Sequence, residues 1–167
     1  MISHSNTSQV GNMRVIQVQS KRESGFTLFE LITTVSILAI MAMIAIPAFT
    51  SMLPGMRLNG AARQVMGDLM AARMKAVKLN HRTKVFFDSS SQYRICDDAD
   101  NNETVADGEG DVKTRNIQTD YYDVTLSNTA EPVFQSRGNA TGATVTVTNS
   151  SGSKDVKVAI TGRVKID

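Results

Sequence analysis

Ser24-Gly25-Phe26-Thr27-Leu28-Phe29-Glu30-Leu31 decides the reading of this chain, because it opens an uncharged run that continues to Met56. From Leu31 the run holds about 26 residues, enough for a helix to cross a hydrocarbon layer of about 30 Å. Glu30 therefore stands at or inside the edge of a membrane-length apolar stretch. A carboxylate in that position is costly to desolvate, which marks it as a functional residue by default. The milder alternative is that Glu30 reaches back to the headgroup layer or closes the helix start, with Ser24 or Thr27 as helper.

Upstream, Met1 to Gly25 is polar, and Arg14, Lys21 and Arg22 precede the run with only Glu23 against them. Positive charge on this flank predicts a leader that stays cytoplasmic while the bulk of the chain is exported. A secretory signal peptide has a shorter apolar core and a small-residue cut after it, and fits poorly. Met13 offers a second possible start within the leader.

Downstream, Arg57 to Lys84 repeats apolar residues in steps of four and three: Leu58, Ala62, Val65, Leu69, Ala72, Ala76 and Leu79. That spacing predicts one apolar stripe, packed on the chain's own sheet. Arg57, Arg63, Arg73, Lys75 and Lys78 are expected on the opposite side, with Asp68 as their only acid. One long helix from Thr27 to Leu79 is predicted, bent or broken near Pro54-Gly55 because proline removes a donor and glycine weakens the turn.

From Thr83 the pattern changes to short strands between polar turns. The expected strands are Thr83–Phe87, Gln92–Cys96, Lys113–Ile117, Asp123–Leu126, Pro132–Gln135, Thr144–Thr148, Val156–Ile160 and Arg163–Ile166. Asn149 to Ser153 reads as a turn, and the end of the chain as an antiparallel meander. The fold class is α+β, a long N-terminal helix packed on a C-terminal antiparallel β-sheet domain.

The formal net charge is +2, and removing Arg14, Lys21, Arg22 and Glu23 leaves the two signs balanced, so bulk charge argues for no nucleic-acid partner. The single cysteine, Cys96, cannot form an internal disulfide and is expected to be buried, with an intermolecular disulfide or a reactive thiol as the alternative. His4 and His81, the only histidines, belong to no zinc or triad pattern, and Gly108-Glu109-Gly110 lies among acids that would repel phosphate. No catalytic residues are expected.

Gly25-Phe26-Thr27-Leu28-Phe29-Glu30 resembles the processing motif of type IV prepilins and type II secretion pseudopilins, and Pro47 falls where that family carries a kinking proline. The resemblance implies cleavage between Gly25 and Phe26 by a prepilin peptidase, N-methylation of Phe26, and a role for Glu30 in assembly. Physically, the amine freed on Phe26 could pair with a Glu30 carboxylate on a neighbouring subunit, so that assembly compensates charges a lone subunit cannot. Arg57-Leu58 to Ala76, Phe134 four residues before Gly138, and Ile160 to Ile166 further resemble the GspH/FimT group of minor pseudopilins and minor pilins. The implied layout is a leader over 1–25, a transmembrane half-helix over 26–56, an amphipathic half over 57–82 and a β-rich head over 83–167. The implied partners are other pilins or pseudopilins, the processing enzyme and an inner-membrane assembly platform. The implied location is a single pass through the bacterial inner membrane with a periplasmic head, and then a filament.

Two further sites are raised by the residues. Asp98, Asp100, Asn102, Thr104 and Glu109 follow EF-hand spacing without its central glycine, since Glu103 stands there, so calcium is weighed against a solvated acidic loop. In the tail, Gly162-Arg163-Val164-Lys165 matches a terminal segment through which some fimbrial members bind DNA. A few exposed cations can engage phosphates in a salt-dependent way. The missing aromatic platforms weaken a single-strand reading, and solvated charges that guard a strand edge are the alternative.

Overall fold

A computed structural model describes residues 25–167 of the chain. The expectations placed on the cationic flank, on Ser24, on His4 and on the second start at Met13 lie outside the described residues. Helix α1 runs Leu28–Leu79. Thr27 caps it: its hydroxyl accepts the Glu30 backbone N–H at 3.2 Å and its carbonyl accepts the Leu31 N–H at 3.1 Å. Asn80, at φ 57°, ends the helix in the left-handed conformation that asparagine tolerates.

The single long helix expected from Thr27 to Leu79 is continuous through Pro54-Gly55, and both Pro47 and Pro54 lie within α1. Each proline removes one donor from the ladder, but the turns after Pro54 are fixed from outside. Leu58, Ala61 and Ala62 are buried there, and the Asn149 side chain donates to the Pro54 carbonyl at 2.8 Å.

The chain divides into two compact units at Met41/Ala42. In the first, α1 presents Leu31, Ile32, Val35, Ile37 and Leu38 outward, all more than half exposed. In the second, the predicted stripe packs inward: Leu58, Ala62, Val65, Leu69, Ala72 and Ala76 are buried, joined by Ala61, while Leu79 is 41% exposed. Four alanines on this face leave room for the sheets to approach closely.

Two four-stranded antiparallel sheets supply the rest of the core. The first contains β1 (Thr83–Phe87), β2 (Gln92–Asp97), β3 (Lys113–Asn116) and β5 (Val133–Phe134), in the order β3-β2-β1-β5. The second contains β4 (Thr125–Asn128), β6 (Ala143–Asn149), β7 (Gly152–Val158) and β8 (Val164–Ile166), in the order β4-β6-β7-β8, so the predicted terminal meander forms. Val85, Tyr93 and Ile95 from the first sheet join Val145, Val147, Val156, Val158 and Val164 from the second, in one core with the helix stripe. Strict alternation in β6 buries Ala143, Val145 and Val147 and turns the threonines outward.

Several strand limits differ from expectation. Ile117 leaves β3 for a short 3-10 turn, Ile117–Thr119, and the strand expected at Asp123–Leu126 begins two residues later. The polar stretch read as a turn over Asn149–Ser153 is mostly strand: Asn149 pairs with Gly152, leaving only Ser150 and Ser151 between β6 and β7. Outward-facing Thr146 and Asp155 hydrogen-bond across the pair at 2.8 Å, so polar residues here make the ladder's solvent face. The end of β7 shifts accordingly, and Ile160 sits 74% exposed in the turn to β8.

Asp68 corrects the helix reading. Rather than facing solvent among the basic residues, it is buried on the packed face, 6% exposed. It lies three residues after Val65 and four before Ala72, on the stripe itself. Tyr93 Oη donates to Oδ2 at 2.6 Å, Lys113 Nζ to Oδ1 at 3.1 Å, Arg115 Nε to Oδ2 at 3.3 Å, and Gln64 Nε2 to Oδ2 at 3.3 Å. This carboxylate ties edge strand β3 to α1, which the exposed Lys113 and Thr114 cannot do by apolar burial. Arg73 and Lys75 are likewise engaged, with the Gly138 carbonyl at 2.8 Å and with Asp97 at 2.7 Å.

Candidate functional site

At the start of α1, Gly25 is exposed and a Cβ there would meet nothing within 4 Å. Packing therefore does not demand glycine at this position. Phe26 is 83% exposed, Leu28 and Phe29 are each 76% exposed, and the Glu30 carboxylate is exposed beside them. The most apolar window of α1 has a mean hydropathy of 2.3 and none of it is buried, so α1 is long and apolar enough to cross a membrane.

The tail residues Arg163 and Lys165 come together on the outer face of the second sheet. They line a groove of about 610 Å³, to which β7 adds Lys157. Register explains the third cation: Thr144, Lys157 and Lys165 are directly paired across β6, β7 and β8. Asp167 takes Lys157 Nζ at 2.8 Å and Lys165 Nζ at 2.6 Å. Both ammonium groups hold the Asp167 carboxyl down to about 2, and Asp167 raises Lys157 in return. Lys157 lies outside the Gly162 to Lys165 segment, and its outward position between buried Val156 and Val158 follows from the alternation of β7.

In the acidic loop, oxygens of Asp98, Asp100 and Glu109 lie within 4.8 Å of one another. These carboxylates cap their own loop. Asp98 accepts the N–H groups of Asn102 at 3.0 Å and Glu103 at 2.9 Å, and Glu109 accepts those of Ala99 at 2.9 Å and Ala106 at 2.7 Å. Asn102 accepts the Thr104 N–H at 2.8 Å and donates to Asp100 at 2.7 Å, closing the turn on itself. A carboxylate has lone pairs left after two such bonds, so Asp98, Asp100 and Glu109 form a donor set that suits a hard cation. Cys96, beside this loop on β2, is fully buried and free.

The family described as Type II transport protein GspH matches residues 61–162. The chain belongs to this family. A second match, the prokaryotic N-terminal methylation motif, spans residues 20–46 and so includes Gly25, Phe26 and Glu30. Among solved structures, the chain is similar to the type IV minor pilin FimU of Pseudomonas aeruginosa, at 15% identity and a TM-score of 0.51, covering 66% of this chain and 87% of that one. It is equally similar to the minor pseudopilin EpsH of the Vibrio cholerae type 2 secretion system, at 11% identity and a TM-score of 0.52, covering 66% and 96%. At these identities the likeness establishes the fold alone, a pilin-like helix packed on antiparallel sheets. No curated protein matches the chain significantly.

As a GspH-family chain, the protein is a structural subunit of the pilin and pseudopilin class. The GspH match begins at Ala61, inside the buried helix stripe, and ends at Gly162. Arg163 and Lys165 fall just outside it.

Proposed function

We propose that this chain is a minor pseudopilin or minor pilin precursor, cut between Gly25 and Phe26, N-methylated on Phe26, and incorporated as a structural subunit that initiates or tips a type II secretion pseudopilus or a type IV pilus. The observation that carries the reading is the apolar first half of α1, which nothing among the described residues covers. A membrane before assembly and other pilin helices after it would remove that surface from water. Burial is worth about 25 cal/mol per Å², so leaving a membrane-length helix bare is untenable. The methylation-motif match and the absence of any packing demand for glycine at position 25 support processing there.

Glu30 then acts in registration. Within a helix bundle its carboxylate is compensated only by a cation brought by a neighbour, and the freed amine of Phe26 is such a cation. The subunit sits in the inner membrane with the head in the periplasm, and the peptidase and the assembly platform act on it. The test is a pair of variants expressed in the host. Gly25→Glu blocks processing, seen as the uncut size on a gel, and Glu30→Ala leaves cleavage intact but removes the subunit from sheared filaments. Normal maturation of the first, or wild-type incorporation of the second, contradicts the assignment.

A calcium role for the loop is favoured by one observation, the convergence of Asp98, Asp100 and Glu109. Calcium raising the melting temperature of the wild type but not of Asp100→Asn/Glu109→Gln supports it, and no calcium-dependent shift removes it.

A further inference from the structure

We propose that the groove across β6, β7 and β8 docks an acidic, extended segment of a neighbouring pilin-class subunit, the class of that partner resting on the assembly reading above. Its rim is cationic, with Lys157, Arg163 and Lys165, and no carboxylate lines it. Asp167 engages Lys157 and Lys165 from outside the lining, while Arg163 forms no ion pair among the described residues. The excess charge attracts an anion and steers it in.

The floor selects the kind of anion. Outward-facing Gly142 and Ala159 keep it small and apolar, and Ile160 stands beside it, 74% exposed. A phosphodiester chain would profit from the rim but gain nothing from such a floor. No aromatic ring lines the groove to stack a base, and Asp167 would face the phosphates. An extended peptide sends alternate side chains to opposite sides, so acidic residues can meet the rim while small apolar ones meet the floor. Hydroxyls of Thr144 and Thr161 along the walls can bond its backbone. Exposed apolar surface beside uncompensated charge is the composition of a protein-docking patch.

The test uses the full chain in detergent micelles and fluorescence anisotropy at low and physiological salt. The probes are a labelled peptide alternating glutamate with valine, the same peptide with lysine for glutamate, and a labelled single-stranded oligonucleotide. Two variants separate charge from shape: Arg163→Glu/Lys165→Glu reverses the rim, and Gly142→Leu fills the floor. A Cβ at Gly142 meets its nearest neighbours at 3.7 and 3.8 Å, ordinary contact, so the second variant is expected to fold.

The acidic peptide is expected to bind and the lysine peptide not. Each variant should weaken binding by about tenfold or more, equivalent to about 1.4 kcal/mol, while keeping the wild-type melting curve. Tighter binding of the oligonucleotide than of the acidic peptide overturns the proposal. So does peptide binding indifferent to Gly142→Leu, or no binding at low salt. Peptide affinity is read without filaments, so its failure leaves the assembly reading standing. Loss of that reading shows instead in the processing and incorporation of the Gly25 and Glu30 variants.

Discussion

Replacing Asp68 by alanine removes the acceptor on which Tyr93, Lys113, Arg115 and Gln64 converge, and the size of the loss can be built from their exposures. Tyr93 is 2% exposed, so its hydroxyl is left buried without a partner, at about 1–3 kcal/mol. The Lys113 and Arg115 side chains are 50% and 33% exposed and regain water, so each lost pair adds only about 0–1 kcal/mol. The alanine variant is therefore expected to lose about 1–5 kcal/mol, and Asp68→Asn, which keeps an acceptor for Tyr93 but not the charge, about half of that. The protein has no tryptophan, so urea unfolding is followed by far-UV circular dichroism on the full chain in micelles.

The pH dependence supplies an independent check. Burial pushes the Asp68 carboxyl up, but the Tyr93 hydroxyl, Lys113 and Arg115 together outweigh it and hold the group below its ordinary value of 3.8. A carboxyl depressed by folding contributes stability that is fully present above the unfolded value and is lost as pH falls through the folded one. The gap between wild type and Asp68→Asn should thus be constant near neutrality and close below about pH 4. A gap that persists unchanged into strong acid, or an alanine variant that loses less than about 1 kcal/mol, would refute the role given to Asp68.

Gly162 has φ 77°, and a Cβ there would run into the Gly138 carbonyl and lie 2.9 Å from Arg73 Nε, so Gly162→Ala should cost more than about 3 kcal/mol. An unchanged melting temperature would contradict that packing. A Cβ on Gly60 lies 2.7 Å from the Tyr121 ring, so Gly60→Val is expected to lose about 1–3 kcal/mol. Adding Tyr121→Ala should recover part of it, a non-additivity that a double-mutant cycle reads directly. Cys96, fully buried, should resist thiol reagents in the folded protein and react after unfolding, and Cys96→Ser should cost about 1–3 kcal/mol by burying a hydroxyl. Rapid labelling of the native thiol would show that β2 is not packed as described.

What could be read in advance was local. The helix stripe follows from a 3.6-residue period, β1 and β2 from short apolar runs, and β6 from strict alternation, each decided by residues within one element. Asp68 could not be placed that way, because its partners stand 25, 45 and 47 residues away and only the assembled core brings them together. The start of β7 differs for a related reason: Gly152 and Ser153 are turn formers by composition, and become strand only against β6. At the candidate sites, Arg163 and Lys165 were visible as a short basic segment. Lys157, eight residues before Lys165, needed the β7–β8 register to join them.

The shared floor under the two sheets also fixes the order in which the molecule can be completed. Synthesis runs from the amino end, and α1 precedes every strand, so the Leu58 to Ala76 stripe is waiting before any wall arrives. β1, β2 and β3 can then settle on it as they emerge, but the second sheet closes only with β8, whose Val164 is 6% exposed in the finished core. Until β8 emerges, β7 has no hydrogen-bonding partner along its outer edge. The head is therefore sealed by one of its smallest strands, and a nascent subunit is most vulnerable to aggregation just before that strand is delivered.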